Sequence, residues 1–88
     1  MTVDDCTETT KLFRLRVCAE ADPGVVGHLL SCLTNINIVP HRVVAEFATT
    51  GLMHIHIDVS GLSESRASLI AAKIGQFVPV INSHWHWL

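Results

Sequence analysis

Two groups of residues in this 88-residue sequence could carry chemistry. The first is the segment Asp22-Pro23-Gly24-Val25, in which a carboxylate, a proline and a glycine precede an apolar stretch. Backbone N–H groups at a helix start favour anions, and Gly24 would let a ligand approach the backbone closely. The segment therefore predicts either a site for an anion such as an amino-acid carboxylate or an ordinary helix start.

The second group consists of two histidine pairs, His54 with His56 and His84 with His86. Alternate residues of a strand project from one face, so each pair could offer two imidazoles to zinc, nickel or copper. Two imidazoles fall short of the three or four protein ligands that zinc sites use, and nearby arginines repel a cation. We therefore expect no metal site and favour a solvated or interfacial sheet face, on which Asp58 pairs with Arg16.

A helix is predicted to position the first group. Asp22 is a favourable N-cap and Pro23 suits the first helical position, and Asn35 is expected to end the helix in the left-handed conformation. The apolar stripe of this helix consists of Val25, Val26, Leu29, Leu30 and Leu33. The helix thus spans 23 to about 34, and a strand follows directly.

Alternating apolar residues predict four strands, at 12–20, 38–49, 52–60 and 77–87, the last at an edge because of Pro79. A second helix starts with Ser63 as N-cap and stops at Gly75. The order βαββαβ predicts a ferredoxin-like α+β sandwich, a four-stranded antiparallel sheet with two helices on one face. In this strand order the two histidine pairs lie about 10 Å apart and could meet only across a subunit contact.

Composition excludes several classes of protein. The net charge is −2 and the basic residues are scattered, which argues against nucleic-acid binding. Three cysteines without CxxC spacing indicate neither a disulfide framework nor a zinc site, and neither a signal peptide nor a membrane span is recognisable. We expect a cytoplasmic protein with a flexible tail at 1–10 and one domain at 11–88.

Two further features bear on assembly and catalysis. Apolar residues make up 49% of this small chain, which suggests that a second chain covers some of them. Trp85 and Trp87 share a strand face and could anchor an interface or cap the monomer's own helix layer. Cys18, Ser31 and Cys32 lie in elements whose periodicity already explains them, so no enzyme activity is expected.

The combination of a strand, Asp22-Pro23-Gly24-Val25, an apolar helix and Asn35-Ile36-Asn37-Ile38 resembles the ACT domain, the small-molecule regulatory module of amino-acid metabolism. The family signature is a D-x-P-G-like turn, a helix and a G-x-N-I-like entry into the second strand, with Asn35 here replacing the usual glycine. The resemblance covers about 11–87. In size the chain resembles stand-alone ACT proteins such as the small regulatory subunits of acetolactate synthase.

The resemblance implies a non-catalytic module, without a cofactor, that binds an amino acid at a homodimer interface and modulates the catalytic subunit of a biosynthetic enzyme. The ligand-binding residues it implies are Asp22, Pro23, Gly24, Val25, Asn35 and Asn37. Two other functions stay open. The histidine pairs could serve a metal-responsive binding protein, and the polar sheet face could belong to a structural subunit that docks an enzyme.

Overall fold

The computed structural model describes residues 11–48 and 50–88 of the chain. The predicted tail at 1–10 lies outside these described residues. The elements are β1 (Leu12–Glu20), α1 (Val25–Thr34), β2 (Arg42–Phe47), β3 (Leu52–Ser60), α2 (Glu64–Gly75) and β4 (Val80–Trp87). The strands form one antiparallel sheet in the order β2-β3-β1-β4. The predicted ferredoxin-like sandwich is confirmed.

The core lies between the sheet and the two helices. Every second residue of β1 from Phe13 to Ala19 is buried, because β1 is central and the apolar side of its alternation faces the helices. β3 contributes the same pattern, with Ile55 and Ile57 fully buried. The intervening residues of both strands lie on the open face of the sheet, which no helix of the described residues covers.

Helix α1 begins two residues later than predicted. Its N-cap is Gly24 rather than Asp22, and the first helical residue is Val25 rather than Pro23. The reason is the Asp22 side chain, whose Oδ1 accepts a hydrogen bond from the Gly24 N–H at 2.8 Å. This Asx turn satisfies the backbone ahead of the helix and delays its first turn.

The end of α1 also differs from the prediction. Asn35 has a helical backbone (φ −64°), and the left-handed residue is Asn37 (φ 59°). The Asn37 N–H donates to the Thr34 carbonyl and the Ile38 N–H to the Leu33 carbonyl, both at 3.0 Å. These two bonds are those of a Schellman motif with Asn37 at C′, so the asparagine that tolerates positive φ is the second of the pair.

Strand β2 is shorter than predicted and lies at an edge of the sheet. Residues 38–41 are not part of it, because Pro40 has no N–H to donate to a neighbouring strand. β4 forms the other edge, as predicted, and begins just after Pro79. Ser63 caps α2 by accepting a hydrogen bond from the Arg66 N–H, which confirms that N-cap.

Neither helix of the described residues is long and apolar enough to cross a membrane.

Candidate functional site

The Asp22 turn projects from the end of the central strand. The Asp22 side chain binds the Gly24 N–H, and the Asp22 carbonyl accepts a bond from the Val25 N–H at 3.2 Å. Gly24 has a negative φ, so its backbone does not require glycine. A Cβ there would lie 3.2 Å from the Asp22 carboxylate oxygen. The absence of a Cβ at Gly24 therefore lets the Asp22 carboxylate approach the backbone of this turn.

The next two backbone N–H groups are available for a ligand. Within the described residues, the N–H groups of Val26 and Gly27 have no hydrogen-bond partner, whereas His28 N–H donates to the Gly24 carbonyl. Unpaired donors in the first turn, together with the helix dipole, favour an anion. The start of α1 therefore has a geometry that suits the anion predicted from the sequence. Gly24, however, allows the close approach of the Asp22 carboxylate rather than that of a ligand.

An apolar depression of about 330 Å³ opens beside this turn. Its walls come from the turn, from α1, from β2 and from β3: Ala21, Asp22, Pro23, Val26, Phe47 and Met53. Sequence reasoning missed Val26, Phe47 and Met53 as site residues, because their alternation or periodicity assigned all three to the core. Phe47 is 76% exposed, since the helices leave the outer flank of β2 uncovered.

The backbone of β2 is open on the side away from β3. The Ala48 N–H donates to the Leu52 carbonyl of the hairpin at 2.8 Å. Donors alternate along an antiparallel strand, so the N–H groups of Val43, Ala45 and Phe47 point outward from the sheet. An edge with unpaired donors and exposed apolar side chains is a template for another strand.

Asn35 and Asn37 lie at the far end of α1 from the Asp22 turn. Ten helical residues separate the two ends by about 15 Å. A single chain therefore does not bring these amides and the turn around one small ligand. Only a second copy of the chain could add an Asn35 or Asn37 side chain to the depression.

The open sheet face carries the predicted polar residues in three cross-strand rows. The first row runs His86, Arg14, Asp58 and Arg42; the second His84, Arg16, His56 and Val44; the third Asn82, Cys18, His54 and Glu46. Arg16 thus separates His84 from His56, as the predicted strand order requires. Among the described residues, no group of three or more His, Cys, Asp or Glu side chains could hold a metal ion.

The prediction that Asp58 pairs with Arg16 is wrong. Asp58 binds Arg14 through two hydrogen bonds, Nε to Oδ1 at 2.7 Å and Nη2 to Oδ2 at 3.1 Å. The register of β1 and β3 places Arg14 directly opposite Asp58. The hydrogen bond from Arg14 holds the pKa of Asp58 below its ordinary value. Arg16 is left without an ion pair within the described residues.

The Asp58 interaction predicts a defined loss of stability in acid. A carboxyl whose folded pKa is depressed stabilises the fold above its unfolded pKa and loses that contribution as the pH falls through its folded pKa. Asp58→Asn should therefore be less stable than the parent near neutral pH. The difference should shrink as the pH falls below the ordinary aspartate pKa and vanish below the depressed pKa of Asp58. Urea unfolding across this pH range measures it.

The matched control is Arg14→Gln, which removes the partner and leaves the carboxyl in place. The double variant should lose little more stability than either single variant, since the two bonds are then already absent. A difference between parent and Asp58→Asn that persists unchanged into strong acid would show that the carboxylate does not stabilise the fold through its charge.

The two tryptophans pack on the chain's own helix layer. Trp85 and Trp87 both meet the buried Phe13 edge to face, with ring centroids 5.7 Å apart in each pair. The Trp85 Nε1–H donates to Ser68 Oγ at 3.1 Å, so it is tied to α2. Trp85 thus caps the monomer's own layer, whereas Trp87 is 39% exposed and its part in an interface stays a prediction. Cys18 and Cys32 are free thiols, and Cys6 lies outside the described residues.

A sequence model of the ACT-like domain family matches residues 6–88. No curated protein sequence matches the chain. Solved structures share the fold at low sequence identity. The C-terminal domain of the MgtC protein from Mycobacterium tuberculosis has a TM-score of 0.78 and 14% identity, covering 92% of this chain and 90% of its own. The ACT domain from GTP pyrophosphokinase of Chlorobium tepidum has a TM-score of 0.73 and 13% identity, covering 89% and 100%.

A homoserine dehydrogenase from Thiobacillus denitrificans contains a similar segment, with a TM-score of 0.70 and 20% identity. The match covers 91% of this chain but 18% of the dehydrogenase. At these identities the likeness concerns the fold alone.

Proposed function

This chain belongs to the ACT-like domain family, and we propose that it is a non-catalytic module that binds an amino acid at a homodimer interface. ACT domains are regulatory modules that bind small ligands. The observation that carries the proposal is that the Val26 and Gly27 N–H groups, which have no partner among residues 11–48 and 50–88, lie beside an apolar depression at the open sheet edge. The bound module would act in the cytoplasm on the catalytic subunit of a biosynthetic enzyme.

The depression offers a separate partner for each part of an amino acid. The ligand carboxylate would accept bonds from the Val26 and Gly27 N–H groups at the positive end of α1. The ligand ammonium would meet the Asp22 carboxylate, which has acceptor capacity beyond its bond to Gly24. An apolar ligand side chain would then lie over Phe47 and Met53. The depression is at the small end of ligand sites, which suits one amino acid.

A second copy would complete the site. The outward N–H groups of β2 can pair with the same strand of another chain around a twofold axis, because a C2 interface uses one patch twice. Such pairing would cover Phe47 and Val43, which are 76% and 37% exposed in the single chain. It would also close the depression from outside and provide the only route by which Asn35 or Asn37 reaches a ligand.

The test is a thermal-shift screen of the purified chain against the amino acids, repeated with zinc, nickel and copper. A ligand that binds the native state raises the melting temperature with concentration. We expect an amino acid to do so and the metals not to. A rise with a metal, lost in a His54→Ala/His56→Ala variant, would instead support the metal-responsive alternative.

The variant Val26→Glu tests whether the ligand carboxylate binds at the first turn of α1. A carboxylate at this position would occupy the first turn of α1 and repel the ligand carboxylate, so calorimetry should show binding at least about tenfold weaker. Val26→Gln has nearly the same shape without the charge and serves as the matched control. Equal loss of affinity in both variants, or in neither, would place the carboxylate elsewhere.

A further inference from the structure

Arg16 stands at the centre of the open sheet face, and no carboxylate of the described residues pairs with it. Its register partners are His56 on β3 and His84 on β4. The neighbouring Arg14 is neutralised by Asp58, but Arg16 has no ion pair within the described residues. Directly paired residues have Cβ atoms about 5 Å apart, so both imidazoles flank the guanidinium closely.

A depression of about 220 Å³ lies over this arginine. Its walls are formed by Arg16, Val17, Cys18, His54, His56, Asn82 and His84. Every one of the three histidines can donate at least one N–H in either tautomer, and the asparagine amide donates two. Several hydrogen-bond donors in this depression therefore surround the permanent positive charge of Arg16.

The acidic residues of the open sheet face do not neutralise the positive charge of Arg16. Asp58 is engaged by Arg14, and Glu46 belongs to the next row on β2, in register with His54. The same arginine opposes a divalent cation, which explains why the histidines around it suit a metal poorly. A guanidinium with flanking donors is instead the usual recognition group for phosphate and carboxylate.

We propose that Arg16, His56 and His84 form a second binding site, which takes an oxyanion such as a phosphate or carboxylate group. This site lies on the open face of the sheet, whereas the Asp22 turn and its apolar depression lie on the helix side. It does not depend on the proposed amino-acid site, and a ligand could occupy either site alone.

The geometry couples this site to pH. Burial, then Arg16, then Arg14 lower the pKa of His56 below its ordinary value. The charged and titratable groups around His56 are Arg14, Arg16 and Cys18 on β1, Arg42 and Glu46 on β2, His54 and Asp58 on β3, and His84 and His86 on β4. A bound anion offsets the arginines and favours the imidazolium, so binding takes up a proton and strengthens as the pH falls.

Sulfate is the probe, because its charge does not change in the range where histidine titrates. The full chain is titrated with sodium sulfate at constant ionic strength, and the backbone and imidazole NMR shifts are followed at about pH 6 and about pH 7.5. Shifts should concentrate on Arg16, His56 and His84. The dissociation constant should be lower at the acidic pH, by up to about thirtyfold over these 1.5 pH units if binding takes up one proton.

Arg16→Gln should weaken sulfate binding at least about tenfold, whereas Arg66→Gln, which removes an exposed cation on α2, should leave it unchanged. His56→Gln should reduce the pH dependence. Repeating the titration with inorganic phosphate and with succinate identifies whether the site prefers a tetrahedral oxyanion or a carboxylate.

Three results would overturn the proposal. One is an absence of saturable shifts at either pH. Another is equal sulfate affinity in the parent and in Arg16→Gln. The third is equal weakening in Arg16→Gln and Arg66→Gln, which would indicate a general charge effect. None of these results bears on amino-acid binding at the Asp22 turn.

Discussion

Ala45→Pro should convert the proposed β2-paired dimer into a monomer. Ala45 is exposed, and its N–H points away from β3. Proline removes that donor without breaking a bond to β3, and its ring keeps a neighbouring strand at a distance. By twofold symmetry the loss occurs twice, so we expect the dimer dissociation constant to rise more than about a hundredfold. Sedimentation over a range of concentrations measures it.

Ala45→Val is the matched control, because it keeps the N–H and favours a strand. It should sediment as the parent does. Circular dichroism of both variants checks that the sheet persists. A dimer of unchanged affinity in Ala45→Pro would place the interface on another surface and remove the reason for Phe47 to line a shared site.

Phe13→Ala should lower the free energy of unfolding by about 3–5 kcal/mol, the usual cost of removing a fully buried phenylalanine. Phe13 is 0% exposed and meets both tryptophans, so its loss opens a cavity beneath β4 and α2. Small domains are stable by only about 5–15 kcal/mol. The variant should therefore be close to unfolding.

Urea unfolding followed by tryptophan emission measures this effect, since Trp85 and Trp87 are the only tryptophans and both contact Phe13. Leu69→Ala, which truncates a side chain that is 70% exposed on α2, should change the free energy by less than about 0.5 kcal/mol. Both variants are compared at one protein concentration, because formation of the proposed dimer would contribute to the free energy of unfolding. A Phe13→Ala effect no larger than that of Leu69→Ala would contradict the described core.

The fold was predictable because its signals are local. Alternation in β1 and β3, the Ser63 cap and the order of elements each agree with one architecture. The residues at which α1 begins and ends were not predictable, because they depend on competition between hydrogen bonds. Asp22 can cap a helix or bind Gly24 ahead of it, and either Asn35 or Asn37 can adopt a positive φ.

The candidate sites were only partly predictable, because they depend on the register between strands and on how much of the sheet the helices cover. Arg14 and Arg16 lie on the same face in any alternating strand, so the sequence alone does not say which of them meets Asp58. Strand pairing decides it. Likewise, alternation assigns Phe47 to the helix side of the sheet but does not show that the helices stop short of β2.

In the proposed assembly, two chains share each ligand site. A ligand that binds at a dimer interface must strengthen the dimer, since the coupling between the two equilibria is reciprocal. The decisive measurement is the dimer dissociation constant, by sedimentation, with and without a saturating amount of the amino acid that raises the melting temperature most. We expect the dimer dissociation constant to decrease at least about tenfold with the ligand, while an unchanged constant in the presence of bound amino acid would contradict a shared site.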